Sequence, residues 1–305
     1  MQFRNTPQSF TVGFELEITL RPKAASNIPG FRFEGGGGNN MTATSRENVN
    51  TIYTFLMLRL NCGVPFERTA DPYTLWNVTS NHSVRGSDGF YGAEIRSPKY
   101  SGSAWRPAIN YLFQTLDQFF HLNGNESCGT HIHVSRGDVE WPILELQAIA
   151  RAVATYSGIF LHLCPDRDQS PYCQANCEDG QLEILRDINN TGCRDLIDLM
   201  SPMRNTVINF RSLHPLEDFR DTIKFRLFPA TNSPETLEQY ILSSLAFISA
   251  SLRTQQDYYT EEMQDVTINS FRTFMTPHPD EAGHRVDHRA LFHNKEYNSV
   301  DAQIK

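Results

Sequence analysis

The chain has no apolar run of membrane-spanning length, no block of Lys or Arg, no Gly-X-Gly-X-X-Gly and no Gly-Lys-Ser/Thr. The first absence excludes a transmembrane helix read from hydropathy. The second, with a net charge of −8, argues against nucleic acid or an anionic membrane as partner. A nucleotide stays open, because it needs only a local basic site. The missing glycine motifs exclude the dinucleotide fingerprint and the P-loop. Gly35–Gly38 lies in a polar stretch, 21–40, and is read as a flexible loop or a substrate lid. The six cysteines are scattered, with only Cys173 and Cys177 close together, and are read as thiols. Met1–Gln8 has no apolar core, so no secretory signal is visible and a cytoplasmic location is expected.

What is present suits a folded protein. The 305 residues are 39% hydrophobic and 11% aromatic, enough for a sizeable core in one large domain or two smaller ones. Thr44-Ser45-Arg46-Glu47 reads as a capping box, and Val49, Ile52, Tyr53, Leu56 and Leu60 continue it at helical spacing. Tyr73 to Val84 reads as extended. Further helices are expected from Ser103 to His121, from Pro142 to about Leu163, and from Ser233-Pro234 through Leu252. Cys164 to Asn190 reads as irregular, with a short helix around Leu182 to Arg186, and Arg194 to Arg211 as helical in pieces. From Tyr259 the chain turns polar, with His278, His284, His288 and His293 at no ligand spacing, and reads as a loose tail. Strands and helices alternate irregularly, which favours α+β over a doubly wound sheet.

Four strand-like stretches share one oddity. Gly13-Phe14-Glu15-Leu16-Glu17-Ile18 alternates apolar with acidic residues. Read alone, it is an edge strand with a solvated acidic face. Gly92-Ala93-Glu94-Ile95-Arg96-Ser97-Pro98 sets Glu94 and Arg96 on one face. Cys128-Gly129-Thr130-His131-Ile132-His133-Val134 does the same with two imidazoles, and Thr222-Ile223-Lys224-Phe225-Arg226-Leu227-Phe228 with two cations. Each strand has an apolar face that must meet a core. If the four share a sheet, its other face collects three carboxylates, two imidazoles, two guanidinium groups and an ammonium. Solvated faces are usually built from Thr, Ser, Lys and Gln. This mix instead suits hard-metal binding (Mg²⁺ or Mn²⁺), with Arg as a phosphate clamp.

These four motifs in this order, with Trp76-Asn77-Val78-Thr79-Ser80-Asn81-His82-Ser83 and the helix after Pro234, resemble the amidoligase family. That family belongs to the carboxylate-amine ligase superfamily of glutamine synthetase and glutamate–cysteine ligase. The resemblance runs from about Val12 to Leu252. It implies a curved, mostly antiparallel sheet with helices packed on one face, a glutamine-synthetase-like catalytic domain. That domain is placed at 1–258, with a polar C-terminal extension at 259–305.

The resemblance also implies an ATP-dependent ligase that joins small-molecule carboxylate and amine substrates through an acyl phosphate. By matching position, Glu17 and Glu94 hold one metal, and Glu15 and His131 hold a second. His133 touches phosphate, Arg226 clamps the transferring phosphoryl group or the substrate carboxylate, and Arg96 joins the nucleotide-binding set. Two positions depart from the family pattern: Lys224 stands where Glu is usual, and Asn81 where Asp is common. Both remove negative charge, and Asp88 is near enough in sequence to compensate. A second reading is therefore an altered or inactive member that binds a nucleotide or carboxylate without phosphoryl transfer. A third is a metal-dependent hydrolase built on His131 and His133, which lacks further His or Asp ligands on strands.

Overall fold

In the computed structural model the described residues are 10–32, 43–61, 73–87, 89–137, 139–164, 166–167, 170–176, 181–214, 221–254 and 266–276. The Gly35–Gly38 loop, Asp88, the side chains at 44–45 of the expected capping box and the four C-terminal histidines lie outside them. The protein is α+β, with seven α-helices and eight strands among the described residues. The chain forms two units. The β1 unit takes in Thr11–Ile132 and Phe228–Glu238; the β8 unit takes in Met1–Phe10, His133–Leu227 and Gln239–Lys305.

The β1 unit is built on β1 (Thr11–Pro22). Around it lie β2 (Asn77–Thr79), β3 (Tyr91–Arg96), β4 (Tyr100–Ser101), β5 (Phe120–Asn123) and the first residues of β6 (Gly129–Ser135). Its strand order is β2-β3-β1-β6, with β4 and β5 also paired to β1. β1 runs antiparallel to β3, β4 and β5, and β3 antiparallel to β2. So β1 is a central strand, not the solvated edge that its acidic residues suggest when read alone. Phe14, Leu16, Ile18 and Leu20 are buried on one face, as the alternation predicts, and Glu15 and Glu17 are buried too.

The register decides which polar groups meet. Glu15 pairs with Arg96, and Arg96 with Asn77 on its other side. Glu17 pairs with Glu94, and Glu94 with Thr79. Paired residues share a face, so the ionisable side chains form two adjacent rows. Behind them Leu16, Ile95 and Val78 form the apolar layer.

Two helices cover this unit. α1 (Ala43–Leu60) buries Val49, Ile52, Tyr53, Leu56 and Leu60, and packs on β2 and on α2 (Trp105–Phe119). α2 presents Trp105, Ile109, Leu112, Phe113 and Leu116 at the spacing the sequence predicts. The Tyr53 hydroxyl donates to the Gly92 carbonyl, tying α1 to β3, and burial pushes that hydroxyl up to about 12. Only glycine fits at position 92: a Cβ there would lie 2.6 Å from the Val84 carbonyl oxygen. This close approach seats the turn after β2 against β3. The extended reading of Tyr73–Val84 thus holds only for Asn77–Thr79, because the chain turns at Asn81–Val84, where Val84 N–H donates to the Asn81 carbonyl at 3.1 Å.

The β8 unit is mainly helical. α3 (Ile143–His162) packs against α4 (Gln181–Asn190), α5 (Cys193–Met200) and α7 (Ile268–Met275). α4 extends the short helix expected around Leu182 to Arg186. β7 (Ile208–Asn209) pairs antiparallel with β8 (Ile223–Pro229). α6 (Pro234–Arg253) starts where the sequence places it, with Ser233 Oγ accepting from Thr236 N–H at 3.2 Å. Part of the expected loose tail belongs to the core: α7 buries Ile268, Phe271, Phe274 and Met275, with ring contacts to Tyr156, Phe160 and Phe247. Its four apolar residues are diluted by polar neighbours, so the pattern fades in the sequence. No helix among the described residues is long and apolar enough to cross a membrane.

Candidate functional site

The site is a ring of acceptors and donors on the polar face of the β1 unit, with four of its six contacts at hydrogen-bond distance and two at 3.7 Å. Its acceptors are Glu15, Glu17 and Glu94, at 4, 5 and 5% exposure. Such burial is costly for carboxylates unless donors surround them. Each has two polar neighbours. His131 Nδ1 lies 3.1 Å from Glu15 Oε2, and its Nε2 lies 3.7 Å from Glu17 Oε2. Asn81 Nδ2 donates to Glu17 Oε1 at 2.7 Å and to Glu94 Oε2 at 2.6 Å. Arg96 Nε donates to Glu94 Oε1 and stands 3.7 Å from Glu15 Oε1. Going round, the order is Glu15, His131, Glu17, Asn81, Glu94, Arg96, and back to Glu15.

Three separate segments deliver the donors. Arg96 is the cross-strand partner of Glu15, so sheet register places it. His131 comes from β6, where the alternation sends Ile132 to the apolar side. Asn81 comes from the turn after β2. Its Oδ1 accepts from the Ser83 N–H at 2.9 Å and from the Ser83 hydroxyl at 2.7 Å. This Asx-type turn leaves the amide nitrogen facing the carboxylates. The turn is itself anchored, since Arg85 N–H donates to Ser127 Oγ at 2.9 Å and Asn125 Nδ2 to the Arg85 carbonyl at 2.9 Å. Because a carboxylate only accepts, Glu15 fixes a proton on His131 Nδ1.

The remaining sequence candidates lie in the β8 unit. His133 is buried, and its Nδ1 shares a 2.9 Å hydrogen bond with Thr222 Oγ1. Lys224 and Arg226 are half-buried on β8, with Ile223, Phe225 and Leu227 buried on the other side. Arg226 N–H donates to the Val207 carbonyl at 2.7 Å. Its side-chain Nε is buried with no hydrogen-bond partner among the described residues. The buried Arg167 reaches the Arg226 carbonyl at 3.5 Å.

Five of the eight candidates thus come together in one unit: Glu15, Glu17, Glu94, Arg96 and His131. Sequence reasoning marked Asn81 only as a lost charge and missed its bridging role. The signal available was Asn-X-Ser ahead of a strand, the pattern of an Asx turn. Ser83 and Gly92 were missed as well, since their importance lies in contacts made far along the chain.

Three carboxylates and an imidazole are donors of the kind a hard divalent cation takes, and in that sense the residues fit one. Their arrangement is spread around Asn81 and Arg96. No group of three or more His, Cys, Asp or Glu side chains among the described residues converges as metal ligands would.

An α+β chain whose antiparallel strands hold a buried ring of carboxylates, imidazole and guanidinium belongs among proteins that manage charge on a sheet face. The family described as "Putative amidoligase enzyme" matches residues 8–248, most of the chain, and the chain belongs to that family. Among solved structures it is similar to a Plasmodium falciparum glutamine synthetase, at 12% identity and a TM-score of 0.42. That alignment covers 80% of this chain and 52% of the other, so the chain spans about half the length of that protein. No curated protein matches the chain.

Proposed function

We propose that the protein is an ATP-dependent carboxylate-amine ligase acting on small molecules. The observation that carries this reading is the ring of three buried carboxylates with His131 and Arg96, in a chain of the amidoligase family. In the proposed reaction a substrate carboxylate oxygen attacks the γ-phosphorus of ATP and ADP leaves. An amine nitrogen then attacks the acyl carbon, phosphate leaves, and the nitrogen gives up a proton as the amide forms. Charge must be neutralised as the anions approach, and fixed donors do so at low cost in reorganisation.

Glu15, Glu17, Glu94 and His131 would hold Mg²⁺ or Mn²⁺. Such an ion supplies positive charge to the phosphate oxygens. Arg96 orients Glu94 and stands beside Glu15, and is assigned to the nucleotide-binding set. In the β8 unit, Arg226 is assigned to the transferring phosphoryl group or the substrate carboxylate, which its buried Nε supports. Thr222 orients His133, assigned to phosphate, and Lys224 adds a further positive charge. Purified protein given ATP, Mg²⁺ and a panel of carboxylates and amines should release ADP and phosphate only when both substrates are present. Absence of nucleotide binding under every metal condition would sink the proposal.

A second reading is favoured by Asn81, which already bridges two of the carboxylates. It is a binding protein of the same family that takes a nucleotide or carboxylate without turnover. Calorimetric binding of ATP with no ADP release under the full substrate panel separates it from the first.

A further inference from the structure

We infer that Asn81 stands in for a divalent cation between Glu17 and Glu94, and that it reduces by one the number of ions the ring takes. The inference rests on the proposed function only in expecting the ring to meet a divalent ion at all.

The geometry is specific to this edge of the ring. Glu17 and Glu94 are cross-strand partners, so sheet register forces their carboxylates together. Two buried like charges at such a distance need a positive or hydrogen-donating group between them. Asn81 Nδ2 fills that place, with both its protons used: 2.7 Å to Glu17 Oε1 and 2.6 Å to Glu94 Oε2. A bridging ion would need those same oxygen lone pairs.

The amide is also held against turning over. A flip would aim Oδ1 at two carboxylates and forfeit the two hydrogen bonds from Ser83. Nor can the residue withdraw alone. Its turn is held by Val84 N–H on the Asn81 carbonyl, by Ser127 and Asn125 on Arg85, and by the close seating of Val84 over Gly92. The two edges at 3.7 Å, His131 to Glu17 and Arg96 to Glu15, are the looser ones. They leave the rest of the ring able to accept an ion, while the Asn81 edge stays closed.

One atom decides the matter. The substitution Asn81→Asp keeps the shape of the amide but sets a third carboxylate against Glu17 and Glu94. That arrangement needs a cation inside it or a proton taken up by one of the three carboxyls. Asn81→Asp therefore should make folding stability depend on a divalent ion, because an ion that binds only the folded chain stabilises it by mass action.

The test uses the full chain as wild type, Asn81→Asp and Asn81→Ala. Mn²⁺ is titrated with the free ion followed by electron paramagnetic resonance, and melting is recorded in EDTA and in excess Mn²⁺. Asn81→Asp should bind one more Mn²⁺ than wild type, or bind it at least about tenfold tighter, as ligand charge sets affinity at oxygen sites. Its melting temperature should fall in EDTA and recover with Mn²⁺ by more than wild type gains. Asn81→Ala opens the edge without adding charge, so it should gain less, about threefold in Mn²⁺ affinity, from the carboxylate oxygens it frees alone. If Asn81→Asp does not fold even with Mn²⁺, the Asn81→Ala titration decides. Equal stoichiometry and affinity across the folded variants overturns the inference. Mn²⁺ binding by none of them overturns it together with the cation part of the proposed function. Tighter Mn²⁺ binding by Asn81→Asp with no ATP turnover in either protein supports the inference and overturns the ligase reading alone.

Discussion

The two units handle buried charge in opposite ways. In the β1 unit three carboxylates lie among polar groups from β3, from β6 and from the turn after β2, four of the contacts at hydrogen-bond distance. In the β8 unit the predicted site residues are basic, and Arg226 Nε is buried without a hydrogen-bond partner among the described residues. The first sets carboxylates against donors; the second, on the proposed function, receives an anion. Residues of the first should therefore govern stability and cation binding, and Arg226 should govern turnover with little effect on stability.

The sharpest break in that contrast is Arg226→Ala. On the proposed role of Arg226 at the transferring group or the substrate carboxylate, its loss should lower kcat about 100-fold or more, the range seen when one oxyanion donor is removed. Its urea midpoint should move little. Steady-state ADP release beside urea unfolding tests both halves. Arg96→Ala should lower stability as well as nucleotide binding. It strips Glu94 of its guanidinium and should destabilise by about 3 kcal/mol, the low end for breaking a buried pair, because the Arg96 side chain is 36% exposed. Equilibrium unfolding measures it.

Gly92→Ala tests whether the turn carrying Asn81 must sit close on β3. The new methyl would meet the Val84 carbonyl, which should cost about 1–3 kcal/mol as overpacking and weaken the Asn81 bridge. Thr222→Val removes the hydroxyl on His133 and should cost about 1 kcal/mol, the usual net worth of one hydrogen bond. The smallest effect is one of pH. Burial holds the Tyr53 hydroxyl up to about 12, above its unfolded value near 10. Its contribution is therefore fully present below about pH 10 and is lost as pH rises from there toward 12. Melting curves in that window should flatten in Tyr53→Phe relative to wild type.

Much of this was legible in the sequence because strand and helix periods repeat locally. The acid alternation at Glu15 and Glu17, the His131 pair and the Glu94-Arg96 pair each announce a strand with a charged face. The spacing in α2, α3 and α6 predicts those helices to within a few residues. What escaped depends on distant contacts. That β1 is central follows from which strands flank it, and nothing in residues 11–22 encodes that. Asn81 looked like a missing carboxylate because its role needs Glu17, 64 residues earlier, and a cross-strand register at Glu94. α7 was lost because its apolar residues make sense only against the aromatic rings of α3 and α6.

The claim on which the rest depends is that the ring is one network, so that donors which do not touch still feel each other through a shared carboxylate. Asn81 and Arg96 both bind Glu94, on its two oxygens. A double-mutant cycle of Asn81→Ala and Arg96→Gln, read by urea unfolding, measures that coupling directly. A shared network predicts non-additivity of about 0.5–3 kcal/mol, the range for residues in one network. Additivity within about 0.3 kcal/mol, the behaviour of independent sites, would contradict it.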